Sequence, residues 1–233
     1  MLKQSNLITS QLEFLQADQA VIILPEIFGL NNFIQQTIDN LSLKLNLPVF
    51  GLDIFFPVLG QRKITSYANF SVGAELKNKL TSELFISLLK ENLDLIQTKY
   101  PQIQTFSVLG FCFGGRLAYL SGLDNRINKI VACYGSGMNS PYYRDLTSIE
   151  ALAKERQFDH NLRVLSIFGS QDFSISGEDK NVIIAKMLEA EIDYSQIIVP
   201  AGHAFLNFER LEVYNPLISN QVWPDIYNFL LEL

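Results

Sequence analysis

Cysteine, histidine and tryptophan are nearly missing from this 233-residue chain, which holds two, two and one of them respectively. Cys112 and Cys133 sit in no CxxC pairing, and His160 and His203 are the only imidazoles, so a structural zinc site is not expected. Two thiols could close at most one disulfide, and the expectation is two free thiols in a reducing compartment. Positive charge is scarce as well. Eighteen Lys and Arg against 24 Asp and Glu leave a net charge of −6, without the basic face of a nucleic-acid binder. A few local arginines are still enough to hold a small anion. No run approaches the roughly 18–20 apolar residues of a membrane span. The opening MLKQSNLITSQLEF lacks the apolar core and cleavage site of a secretory signal. A cytoplasmic protein with neither membrane nor nucleic acid as partner is therefore expected. G-x-G-x-x-G and Walker A patterns are absent, and no cofactor is expected.

What is present is a globular composition, 48% apolar and 18% charged, arranged as short apolar runs alternating with longer amphipathic ones. Strands are predicted at 20–24, 47–56, 105–109, 128–134, 162–168 and 194–199. Helices are predicted at 32–46, 74–98, 114–122, 178–191 and 216–232. Residues 57–73, with Pro57, Gly60 and Gly73, read as loop. Segment 135–161 is the least regular stretch of its size and a candidate lid. Strands separated by helices imply an α/β class protein, with a mostly parallel sheet and helices on both faces. With no repeat and no linker, one domain spanning 1–233 is expected.

Gly110-Phe111-Cys112-Phe113-Gly114-Gly115 follows an apolar strand and opens a helix, the context of a nucleophile elbow. Such a turn is tight, so side chains two residues before and two after the nucleophile would strike the backbone. The turn projects a thiol at the sheet's C-terminal edge, near the positive end of a helix dipole, which favours the thiolate. The N–H of Phe113 is then a candidate oxyanion donor. The competing reading of Cys112 is a buried apolar filler in a glycine-rich turn.

Two further residues fall where such chemistry needs them. Asp172 follows the strand 162–168, and His203 follows the strand 194–199, in the order nucleophile, acid, histidine. Both lie at strand C-terminal ends, where open α/β sheets gather their sites. Each alone reads as an ordinary loop residue; the agreement of three placements is what points to a Cys-His-Asp set. His160 precedes a strand and belongs at the opposite edge, and Cys133 lies within a strand.

Three separated motifs then carry a resemblance: Pro25 to Asn31 (PEIFGLN), Gly110 to Arg116 (GFCFGGR) and Gly202 to Asn207 (GHAFLN). Together they resemble the dienelactone hydrolases (carboxymethylenebutenolidases), over most of the chain from about residue 20. The resemblance implies an α/β-hydrolase fold without a large cap domain, acting on a small enol ester or lactone through a cysteine thioester. It places Glu26 beside the cysteine as a group that helps deprotonate the thiol, and makes the N–H of Ile27 the second oxyanion donor. The family's substrate bears a carboxylate, and Arg210 resembles the arginine that binds it in many members. Another arginine is implied within 57–80, where Arg62, Lys63 and Tyr67 are the candidates. The expected partner is a small-molecule ester or lactone, and the expected assembly a monomer or small homo-oligomer. The competing function is a catalytically weak small-molecule-binding or redox-responsive protein on the same fold.

Overall fold

The computed structural model describes residues 6–10, 17–138 and 140–232. Its frame is one seven-stranded sheet built from β1 (Leu7–Thr9), β2 (Gln19–Leu24), β3 (Val49–Leu52), β4 (Thr105–Phe111), β5 (Ile127–Cys133), β6 (Arg163–Gly169) and β7 (Asp193–Val199). The order across the sheet is β1-β3-β2-β4-β5-β6-β7. All neighbours are parallel except β1, which pairs antiparallel with β3, Leu7 opposite Leu52. This edge strand had no counterpart in the predicted elements, because three residues are too few to show alternation.

Successive side chains on a strand face opposite ways, and β2 shows the consequence. Ala20, Ile22 and Leu24 enter one apolar layer, while Val21 and Ile23 enter the other. The second layer is closed by α1 (Asn32–Leu45) and α8 (Pro216–Leu231). The first is closed by α3 (Phe70–Lys79), α4 (Ser82–Lys99), α5 (Phe113–Ser121), α6 (Ser148–Glu155) and α7 (Gly177–Glu189). The predicted parallel sheet covered on both faces is thus present, and among the described residues no large cap stands over it.

Two predicted segments need correction. Residues 57–73 are not all loop: α2 (Phe56–Leu59) starts them, and a single 3-10 turn, Tyr67–Asn69, leads into α3. The helix expected over 74–98 is two helices. Leu80 and Thr81 are extended, Leu80 turns into the core, and the Thr81 hydroxyl accepts from the Leu84 N–H at 3.2 Å to start α4. Within 135–161, α6 is set by a reciprocal capping box between Thr147 and Glu150. Tyr142 donates to the Leu80 carbonyl at 2.7 Å, which ties this segment to the α3–α4 corner.

The chain crosses from one side of the sheet to the other around β2, whose neighbours are β3 and β4. A crevice opens at the C-terminal ends of the strands at such a switch point. Glu26 follows β2 there, and Cys112 follows β4.

Candidate active site

β4 enters the turn at Cys112, whose backbone sits at φ 54° and ψ −114°, a conformation that a non-glycine residue holds only when its surroundings over-determine it. The glycines make it possible. A Cβ on Gly110 would stand 2.1 Å from the Gly114 carbonyl oxygen, and one on Gly114 would stand 2.2 Å from that of Leu24. α5 starts immediately after, so the thiol lies at a helix N-terminus. The Cys112 N–H is anchored on the Cys133 carbonyl at 3.0 Å, and Sγ lies 3.9 Å from the Ser136 hydroxyl.

The loops after β6 and β7 are bound to each other: Ser170 N–H donates to Val199 O at 2.7 Å and Gln171 N–H to Ala201 O at 3.0 Å. That clamp brings Asp172 and His203 together. Asp172 Oδ2 meets His203 Nδ1 at 2.7 Å, and its Oδ1 accepts from the N–H and hydroxyl of Ser174 at 2.9 and 2.6 Å. Cys112 is close enough to His203 for its hydrogen-bonding and charge to act on the imidazole. Cys112, His203 and Asp172 thus come to one place at the C-terminal edge of the sheet. Burial alone would hold His203 neutral. The hydrogen bonds to Asp172 and Cys112, and the charges behind them, outweigh it and push the imidazole up to about 10. Burial likewise opposes the Asp172 charge, but His203 and Ser174 hold that carboxyl below its ordinary range.

Glu26 is buried at 2% exposure, near enough to His203 to feel its charge. Oε2 accepts from Asn207 Nδ2 at 2.9 Å, and Oε1 has no hydrogen-bond partner among the described residues. Burial pushes its carboxyl up, against the opposing hydrogen bond from Asn207 and the charges of Arg210 and His203. Asn207 belongs to a wider polar group. Tyr67 donates to Glu209 Oε2 at 3.1 Å and accepts from Asn31 Nδ2 at 2.8 Å. Glu209 in turn accepts from Asn32 and from the Phe33 N–H at the start of α1. The N–H groups of Ile27 and Phe113 bond to no backbone or side-chain acceptor among the described residues.

Arg210 ion-pairs with Glu212 at 3.1 Å rather than with Glu26, and its guanidinium lies over the rings of Phe28 and Tyr67 at 5.6 and 5.8 Å. Of the three candidates in 57–80, Tyr67 joins this site. Arg62 donates to the Leu7 carbonyl on the edge strand, and Lys63 is exposed. His160 is exposed and Cys133 fully buried, its thiol pushed up by desolvation. Ser174 and Asn207 join the site without a role predicted from the sequence. Asn207 does lie within the GHAFLN motif, but its carboxylate partner is 181 positions away. Among the described residues, no group of three or more His, Cys, Asp and Glu side chains is placed to hold a metal ion.

A mostly parallel sheet covered by helices on both faces, with Cys112 on the turn after β4 and Asp172 and His203 on the loops after β6 and β7, is the arrangement of an α/β-hydrolase. The profile of the Dienelactone hydrolase family matches residues 11–233, and the chain belongs to that family of carboxylic ester hydrolases. A Synechocystis sp. protein provisionally named carboxymethylenebutenolidase is 24% identical over 215 residues, 88% of this chain and 82% of that protein. An Escherichia coli protein with the same provisional name is 25% identical, over 87% of this chain and 73% of its own length. Among solved structures, a provisionally named dienelactone hydrolase from Klebsiella pneumoniae superposes with a TM-score of 0.75 at 20% identity, covering 92% of this chain and 87% of that one. An esterase from Pyrococcus furiosus shares the fold at a TM-score of 0.63 and 14% identity, over 92% and 81% of the two chains.

Proposed function

We propose that the protein hydrolyses a small ester or lactone, of the enol-lactone kind, through a thioester on Cys112. The observation that carries this reading is the Asp172–His203 pair at 2.7 Å near Cys112, which sits at a strained turn beside two N–H groups with no protein acceptor among the described residues. The Cys112 thiol gives its proton to His203 as Sγ attacks the carbonyl carbon, and the carbonyl oxygen takes the negative charge against the N–H groups of Ile27 and Phe113. The C–O bond breaks, and the leaving oxygen takes a proton from His203, which Asp172 holds in the required tautomer. Water then attacks the thioester, His203 receives its proton, and the acid leaves with the thiol restored.

Glu26 adds a second proton acceptor near the thiol. Burial raises its carboxyl and makes it a stronger base than an exposed glutamate. Arg210, half-buried on an aromatic shelf, is the cation that would pair with a substrate carboxylate. In this reading the chain works as one cytoplasmic domain, a monomer or small homo-oligomer.

The test is turnover of p-nitrophenyl acetate and of a panel of small lactones, followed from the first milliseconds. The expected result is a burst of one equivalent of acyl enzyme, abolished in Cys112→Ala. Activity that survives the substitution overturns the cysteine mechanism. Binding of lactones without turnover by the wild-type protein overturns the hydrolase reading altogether.

A further inference from the structure

Tyr134 takes no part in the chemistry described so far, yet its side chain is placed within that site. It directly follows β5, at φ 39°, and its N–H bonds to the Ile167 carbonyl at 2.7 Å. The residue is fully buried. Its ring meets the His203 imidazole edge-on at 5.2 Å and 66°, and packs against Phe205 at 5.5 Å and Phe111 at 6.1 Å. The hydroxyl has no hydrogen-bond partner among the described residues. A buried phenol ordinarily finds one, and a phenylalanine would fill the same space without an unmet polar atom. Glu26 Oε1, likewise buried, is unmet in the same region. Burial, reinforced by the charges of Glu26, Cys133 and Cys112 and opposed only by Arg210, keeps the phenol un-ionised. Near neutral pH the group is therefore a donor.

We propose that the Tyr134 hydroxyl is a further hydrogen-bond donor of this site, reserved for the alkoxy oxygen of a bound ester or the ring oxygen of a lactone. This rests on the reading of Cys112 as nucleophile. The substrate's carbonyl oxygen already has the N–H groups of Ile27 and Phe113. The other ester oxygen must lie within reach of His203, which protonates it, and the Tyr134 ring is packed edge-on against that imidazole. As Sγ bonds to carbon and the C–O bond breaks, the electron pair moves onto this oxygen. The proton comes from His203; Tyr134 keeps its own and only shares it. Stabilisation of that kind grows as charge develops, so it acts on the transition state rather than on binding.

The experiment is Tyr134→Phe, measured with a series of aryl acetates from p-nitrophenyl to phenyl. Because the hydroxyl has no partner in the free protein, the variant should melt at the wild-type temperature or higher. Its kcat/KM, which reports acylation, should fall by a few-fold for p-nitrophenyl acetate and by about tenfold or more for phenyl acetate, whose oxygen leaves less readily. An equal fall across the series, or a lowered melting temperature, assigns the hydroxyl a structural role and overturns the proposal. Full activity on phenyl acetate overturns it as well. A wild-type protein that turns over none of the esters fails at the reading of Cys112, and this inference falls with it. Wild-type turnover that Tyr134→Phe retains in full removes the tyrosine alone.

Discussion

Glu26 pairs with an amide, not with a cation. The nearest arginine gives its hydrogen bond to Glu212, and Asn207 alone steadies one carboxylate oxygen while the other is unmet. A buried carboxylate so thinly compensated destabilises the folded state whenever it is ionised. Glu26→Gln should therefore raise the melting temperature at pH 7 while lowering kcat, by roughly 10²-fold for a lost base. Thermal melts and single-turnover kinetics on one preparation check both, and an unchanged kcat would remove Glu26 from the chemistry. The thermal gain should shrink to nothing below pH 4.5, the ordinary glutamate value, where folded and unfolded states both hold the proton. Glu26 and Asn207 both lie within motifs that were read from sequence. Their pairing was not legible, because nothing in either segment says which loop comes to face it.

At the scale of elements, the elbow and the α3–α4 break show two different kinds of local determination. The elbow needs absent atoms. Gly114→Ala puts a methyl 2.2 Å from the Leu24 carbonyl and 2.6 Å from that of Pro25, so β2 and α5 must separate. Denaturant titration should show a loss of about 1–3 kcal/mol or more, and ester hydrolysis should fall with it, since the same shift moves the Ile27 and Phe113 N–H groups apart. The break needs a hydroxyl. Thr81→Ala removes the cap of α4 and should cost about 1 kcal/mol, with kcat unchanged because no site residue rests on it. If both variants lost activity equally, the site would be answering to global stability rather than to the elbow. Apolar spacing continues through Leu80, so periodicity alone predicts one helix over 74–98. The signal for two helices was Thr81 followed by Glu83 in the first turn, a cap pattern that periodicity alone passes over.

For the whole molecule the shifted groups together predict the pH dependence of stability. Asp124, Asp159 and Asp172 are held below their ordinary values. Their contribution is present above about pH 4 and is lost as the pH falls through the folded values. Asp53, pushed up to about 6 by burial, and Glu26 act oppositely, removing stability as the pH rises past their unfolded values. His203, at about 10, contributes fully below 6.5 and loses its contribution between there and 10. Stability should therefore peak on the acid side, near pH 4–5, and decline in two stages, the second absent in His203→Ala. Denaturation midpoints from pH 3 to 10 check this; a maximum above pH 7 would contradict it. The sequence by itself determined the parallel sheet, its two apolar layers, the glycine elbow and the strand-end positions of Asp172 and His203. Those follow from period, sterics and chain order, which are local. Only the tertiary structure decided that Asp172 meets His203, that Asn207 rather than Arg210 holds Glu26, and that the Tyr134 ring packs edge-on against the histidine. Each depends on a contact between segments that share no local pattern. Cys112 belongs to both accounts: its glycines are legible in the chain, but the partners that surround its thiol come from the loops after β5 and β7.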